Sequence, residues 1–221
     1  MTPAAYAQAL RRFFAAQGNP TEAAAMAAYM KNNFVFFGIK ATARRALGKT
    51  FLLQHGLPER PEDTVRAIWQ LPERELHYFA MELCGKLAKK APPERLALYE
   101  ELILTNSWWD SVDYISPHLC GTHLLLYPTL RNTTIKKWRN SKNRWLMRSA
   151  LLFQMTYKQH TDEELLFSLC REMAPSDEFF IKKAIGWSLR QYARTKPESV
   201  KDFVKNTPLS TLSRREALKH F

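Results

Sequence analysis

The feature that most limits how this chain can fold is a spacing. Four amphipathic segments begin near Glu73, Trp108, Asn143 and Glu178, each 35 positions after the last, a period in the length range of repeats built from stacked helices. Aligning the four puts Leu76, Ser111, Leu146 and Ile181 in one column, and Ala80, Ile115, Ala150 and Ile185 in another. Such columns suit the core side of each helix. Corresponding positions of successive stacked helices line one surface. One such column holds Tyr78, Asp113, Arg148 and Lys183, and the column one turn earlier holds Arg74, Trp109, Arg144 and Phe179. Trp187 lies one turn after Lys183, so Trp109, Asp113, Arg148 and Trp187 are expected to converge on one groove.

The rest of the chain reads as helix as well. Thr2 with Pro3 opens an amphipathic segment that Gly18 closes, and Asn19 with Pro20 opens the next, following the preference for proline at helix starts and glycine at helix ends. Pro61, Pro72, Pro92, Pro93, Pro128, Pro175, Pro197 and Pro208 fall between stretches whose apolar residues recur at three and four. Alternating strand patterns and Asn-Gly hairpin signals are missing. The expectation is an all-α solenoid of stacked helix pairs, one domain over residues 1–221.

Charge narrows the partners. Thirty-three Lys and Arg against 21 Asp and Glu leave +12, which favours a polyanion such as nucleic acid, or an anionic membrane face. No apolar run reaches the length of a membrane span, and "MTPAAYAQALRRFF" lacks the layout of a secretory signal, so a cytoplasmic, nucleoid-associated protein is expected. Cys84, Cys120 and Cys170 are odd in number and widely spaced, hence core fillers rather than a disulfide framework. His118 and His123 lack helical ligand spacing, Cys120 and His123 have no second pair, and no phosphate-cradling glycine loop or nucleophile elbow occurs. Neither a metal nor a cofactor is expected.

The unusual stretch is "NSWWDSVDYISP", Asn106 to Pro117, which sets two tryptophans beside two aspartates. Ser107 suits a helix N-cap with Asp110 three residues on, which would tie Asp110 to the helix start. Asp113 lies beyond those positions and shares a face with Trp109, four residues earlier. Spacing alone leaves it either a solvated or Arg-paired acid or a functional one. Trp69, Trp138 and Trp145 read as core, with Trp108 packing inward too. Arg148 reads equally as a surface cation or a phosphate clamp. Runs such as "YMKNNF", "IKKW", "MTYK", "FIKK" and "LRQYARTK" interleave cations with aromatics, as a phosphate-tracking surface does, and as solvated helix faces also do.

These segments resemble the DNA alkylation repair family of HEAT-like helical-repeat glycosylases. The similarity runs through "MAAYMKNNFVFFGI", "LPERE", "SWWDSVD", "RWLMRSALLFQMTYK", "EFFIKKAIGWSLRQYA" and "LSRREALKH". It implies a HEAT-like superhelix with a concave basic groove. The family's catalytic pattern is a tryptophan, an aspartate four residues on, an arginine in a later repeat and a second tryptophan in the next, here Trp109, Asp113, Arg148 and Trp187. The chain departs from the family at Ala41 and Thr42, where members often carry Thr-Pro, and at Thr156, where some carry lysine.

The resemblance implies a monofunctional glycosylase that removes cationic alkylated purines, such as 3-methyladenine and 7-methylguanine, from duplex DNA without a deep base pocket. Asp113 would stabilise the sugar cation and position water, Trp109 and Trp187 would cradle that cation, and Arg148 would grip a phosphate and hold Asp113. Tyr29, Lys158, Arg190 and Arg194 are further DNA-binding candidates. No obligatory protein partner and a monomeric state are expected. The rival reading is a non-catalytic repeat protein that binds bent, branched or damaged DNA.

Overall fold

A computed structural model of the protein describes all residues, 1–221. It is helical throughout: α1 (Pro3–Ala15), α2 (Pro20–Tyr29), α3 (Ala41–His55), α4 (Pro61–Trp69), α5 (Arg74–Leu87), α6 (Arg95–Leu104), α7 (Trp109–Tyr114), α8 (Thr122–Leu126), α9 (Pro128–Arg139), α10 (Arg144–Leu152), α11 (Glu163–Met173), α12 (Phe179–Ala193), α13 (Pro197–Asn206) and α14 (Thr211–Ala217). The chain forms two compact units, Met1–Leu87 and Ala88–Phe221. No helix is long and apolar enough to cross a membrane.

Helix starts follow from local chemistry. Pro3, Pro20, Pro61, Pro128 and Pro197 each take the first helical position, where the missing N–H has no partner to lose. Thr2 and Asn19 accept the first backbone N–H groups of α1 and α2, and Asn143, Asp162 and Ser210 do so for α10, α11 and α14. The cap expected of Ser107 does not form. Its hydroxyl donates back to the Ile103 carbonyl at 2.6 Å, and Trp108 takes the cap position of α7 without a side-chain bond. A serine can satisfy the preceding turn instead of the next helix, and here it does. Asp110 still lies in the first turn of α7, where a carboxylate meets the positive helix end.

The 35-residue period is present in the fold: α5, α7, α10 and α12 begin at Arg74, Trp109, Arg144 and Phe179. All eight residues of the two core columns are buried. Within the second unit, hydrogen bonds join side chains to partners one repeat away. Tyr157 donates to the Gly121 carbonyl, Tyr127 to the Ala91 carbonyl, Trp138 to Glu100 and Ser199 to Glu163, over separations of 36, 36, 38 and 36 residues. Stacking therefore turns an interval in sequence into contact in space.

Helix α7 runs on into α8 through Ile115–Gly121, a π-helical stretch that contains Pro117. Proline removes an N–H and crowds the preceding turn, and a widened turn is a known way to keep a helix going past such a residue. The core of this unit holds Trp138, Trp145, Ile185 and Leu189, along with Cys120 and Cys170. In the first unit Trp69 and Cys84 are buried, and Tyr6, Phe14, Phe51 and Phe79 meet edge to face. Buried Glu75 accepts the backbone N–H groups of Phe37, Gly38 and Ile39 there, at 2.9–3.0 Å. The tryptophans and cysteines assigned to the core from sequence are where that reading put them.

Candidate functional site

Four helices of the second unit enclose a cleft of about 330 Å³. Trp109 and Asp113 face it from α7, Arg148 from α10, Phe179, Phe180, Lys183, Trp187 and Arg190 from α12, and Glu216 from α14. The expected convergence of Trp109, Asp113, Arg148 and Trp187 occurs, because Asp113 and Arg148 hold the same position in successive repeats and Trp187 lies one turn beyond the next.

Asp113 and Arg148 are joined through two parallel bonds, Nε to Oδ1 at 2.7 Å and Nη2 to Oδ2 at 2.9 Å. The guanidinium also donates to the Phe180 carbonyl of α12. This planar fork fits an ionised carboxylate. The Arg148 side chain is 5% exposed and that of Asp113 is 15%. Arg148 is therefore spent inside the protein, on Asp113 and on α12, and the geometry favours its holding role over the phosphate grip.

Burial pushes the Asp113 carboxyl up, while the hydrogen bond and charge of Arg148 pull it down and Asp110 adds a smaller upward push; the balance lies above the usual carboxylate range. Arg148 keeps an acid charged where burial alone would favour the neutral form. One wall ring, Phe180, is braced by packing: Trp108 meets it and Trp145 edge-on, with centroids 5.4 and 5.9 Å away. Trp108 thus packs inward, as expected from its sequence context.

The other DNA-binding candidates are more dispersed. Arg190 lines the cleft. Arg194, at the end of α12, is exposed, and exposed Lys158 borders a separate small cavity with Gln154, Gln191 and Thr195. Tyr29 belongs to the first unit and is 69% exposed at the end of α2. Ala41 begins α3, with Lys40 in the cap position.

Glu216 is a cleft residue that sequence reasoning did not single out. It accepts from Lys183 at 2.9 Å and from Arg190 at 2.8 Å, one cation on each carboxylate oxygen. The bond from Lys183, followed by that from Arg190, holds its carboxyl below the usual range. Glu216 lies beyond the four aligned repeats, so no column pointed to it. The available clue was the pair of cations flanking Trp187 at one turn each way, a pattern that calls for a neighbouring acid.

Close packing at Gly186 brings Glu216 into place. A Cβ at Gly186 would stand 2.5 Å from Cβ of Glu216 and 2.7 Å from the Ser213 carbonyl oxygen. Gly186→Ala is expected to push α14 off α12 and cost about 1–3 kcal/mol, the usual penalty for overpacking. Thermal unfolding measures this, and an unchanged midpoint would show that α14 yields freely.

Fold and site together define an all-helical repeat protein with an arginine-held carboxylate in a tryptophan-walled cleft. Residues 10–221 match the family model of the DNA alkylation repair enzymes. A solved structure described as a predicted DNA alkylation repair enzyme from Enterococcus faecalis is 36% identical, with a TM-score of 0.85 over 92% of this chain and 96% of that one. The structure of smu.31 from Streptococcus mutans UA159 shares the fold at 16% identity and a TM-score of 0.60, over 80% of this chain and 97% of its own. No curated protein matches the chain. The chain belongs to the DNA alkylation repair enzyme family.

Proposed function

We propose that the protein is a monofunctional DNA glycosylase that hydrolyses the N-glycosidic bond of cationic alkylated purines, 3-methyladenine and 7-methylguanine, in duplex DNA. The observation that carries this reading is the Asp113 carboxylate, held by Arg148 on the wall of a cleft that Trp109 and Trp187 also line.

A purine alkylated at N3 or N7 already bears positive charge, so it departs as a neutral base and no general acid is required. The bonding pair leaves with the base, and the deoxyribose becomes oxocarbenium-like. Asp113 stabilises that cation and orients the water that adds to the anomeric carbon; the water's proton passes to the carboxylate or to solvent. The indoles of Trp109 and Trp187 supply negative ring faces and keep out water that would weaken the attraction. Arg148 fixes the carboxylate. Phosphate contacts fall to Arg190 at the cleft, to Lys158 and Arg194, and to Tyr29. A deep base pocket is not part of the reading, and the monomer is the acting form.

Incubation with duplex DNA carrying 7-methylguanine tests the proposal by the base set loose. Binding without release would replace it with a non-catalytic reader of bent or damaged DNA. A duplex carrying hypoxanthine, a neutral lesion, is expected to give little or no release, because nothing in the mechanism protonates the leaving base.

The rate should also depend on pH. Catalysis needs the ionised form of Asp113, and burial sets its carboxyl above the usual range. Activity is therefore expected to be full at neutral pH and to fall on acidification at a pH above the ordinary aspartate value of about 3.9. A single-turnover pH profile that stays flat through that region would remove Asp113 ionisation from the rate-determining step.

A further inference from the structure

The reaction needs one negative charge that can turn toward a new cation, yet three cationic side chains share the cleft with Asp113: Arg148, Lys183 and Arg190. Arg148 is fixed by its fork and by the Phe180 carbonyl. Lys183 is different. It occupies the repeat position that corresponds to Asp113 and Arg148, its side chain is 37% exposed, and a lysine carries its charge on a flexible four-carbon stem. Released from Glu216, that stem has a space of about 330 Å³, shared with Asp113, to move in. An ammonium on Asp113, added to the Arg148 guanidinium, would offset the charge meant for the sugar.

Glu216 stands against this. Its side chain is 12% exposed, and its two oxygens take Lys183 and Arg190 separately, one turn to either side of Trp187. Gly186 lets α14 come close enough for the carboxylate to reach both. Building on the glycosylase reading, we infer that Glu216 is a positioning residue: it holds Lys183 and Arg190 beside Trp187 and keeps them off Asp113, so that the aspartate has a single resident cation. The remaining charged groups nearby are already committed or lie behind. Asp110 is in the first turn of α7, and Arg144, one turn before Arg148, is paired with Glu178 at 3.1 Å.

The test is Glu216→Gln, which keeps shape and removes charge, compared with wild type and with the double variant Lys183→Met/Glu216→Gln. Titration of the Asp113 carboxyl by carbon NMR without DNA gives a readout independent of turnover. Glu216→Gln is expected to lower the Asp113 titration midpoint by about one pH unit as Lys183 turns to it, and removal of Lys183 is expected to restore it. Single-turnover release of 7-methylguanine should fall roughly tenfold in Glu216→Gln, the equivalent of that shift. It should recover in the double variant, with apparent DNA affinity no weaker than wild type in the single variant.

An unmoved Asp113 titration, or a double variant that titrates like the single one, overturns the inference whether or not the protein releases base. Absence of release by wild type with the expected NMR shifts would instead strike only the glycosylase reading.

Discussion

Asp113→Asn is expected to lower release of 7-methylguanine from duplex DNA by at least tenfold, about 1.4 kcal/mol of barrier, while DNA binding survives. The substitution changes one atom. It leaves the side chain's volume in the cleft nearly intact, so Trp109 and Trp187 keep their walls, but it removes the charge that meets the sugar cation. It also weakens the fork, since an amide offers Arg148 one acceptor oxygen in place of the two used at 2.7 and 2.9 Å. Some loss of thermal stability should therefore accompany the loss of rate. The comparison is made at saturating enzyme well below the unfolding midpoint. Release at the wild-type rate by a folded Asp113→Asn protein would end the electrostatic account.

Arg148→Ala is expected to be the more damaging change to the fold. It leaves a largely buried carboxylate without its partner and takes one donor from the Phe180 carbonyl, and breaking a buried pair from one side costs about 3–5 kcal/mol. Denaturant unfolding measures the loss. The sign of the accompanying pH effect is fixed by the same geometry. Arg148 holds the Asp113 carboxyl down against burial, so its removal should raise that group further and move the acid edge of activity toward neutral pH. Arg148→Lys tests the role of shape: one ammonium cannot reproduce two parallel bonds and a third to the carbonyl. A lysine variant with wild-type stability and rate would mean that charge alone suffices.

The repeat could be read from sequence because stacking is itself periodic. Leu76, Ser111, Leu146 and Ile181 are buried for one shared reason, so their alignment survived the variety of their side chains. Trp109 and Asp113 were legible through their four-residue spacing, and Arg148 through its column. What the column did not reveal was how deeply Arg148 sits, because burial depends on how α10 and α12 meet. Ser107 misled for a local reason: a hydroxyl one turn beyond Ile103 can bond backward as well as forward, and only the placement of the preceding helix decides. Glu216 was hidden because its role comes from a neighbouring helix that no interval in the chain announces.

The register shared by Tyr78, Asp113, Arg148 and Lys183 has a consequence for how such proteins diverge. The buried rungs on either side of it stay apolar or small while this one position accommodates a phenol, an acid, a guanidinium and an amine in turn. The scaffold accepts each of these letters where its neighbours supply a partner, as Asp113 and the Phe180 carbonyl do for Arg148. New chemistry needs a spelling change along a single line together with a matching partner beside it, while the rungs on either side stay as they are.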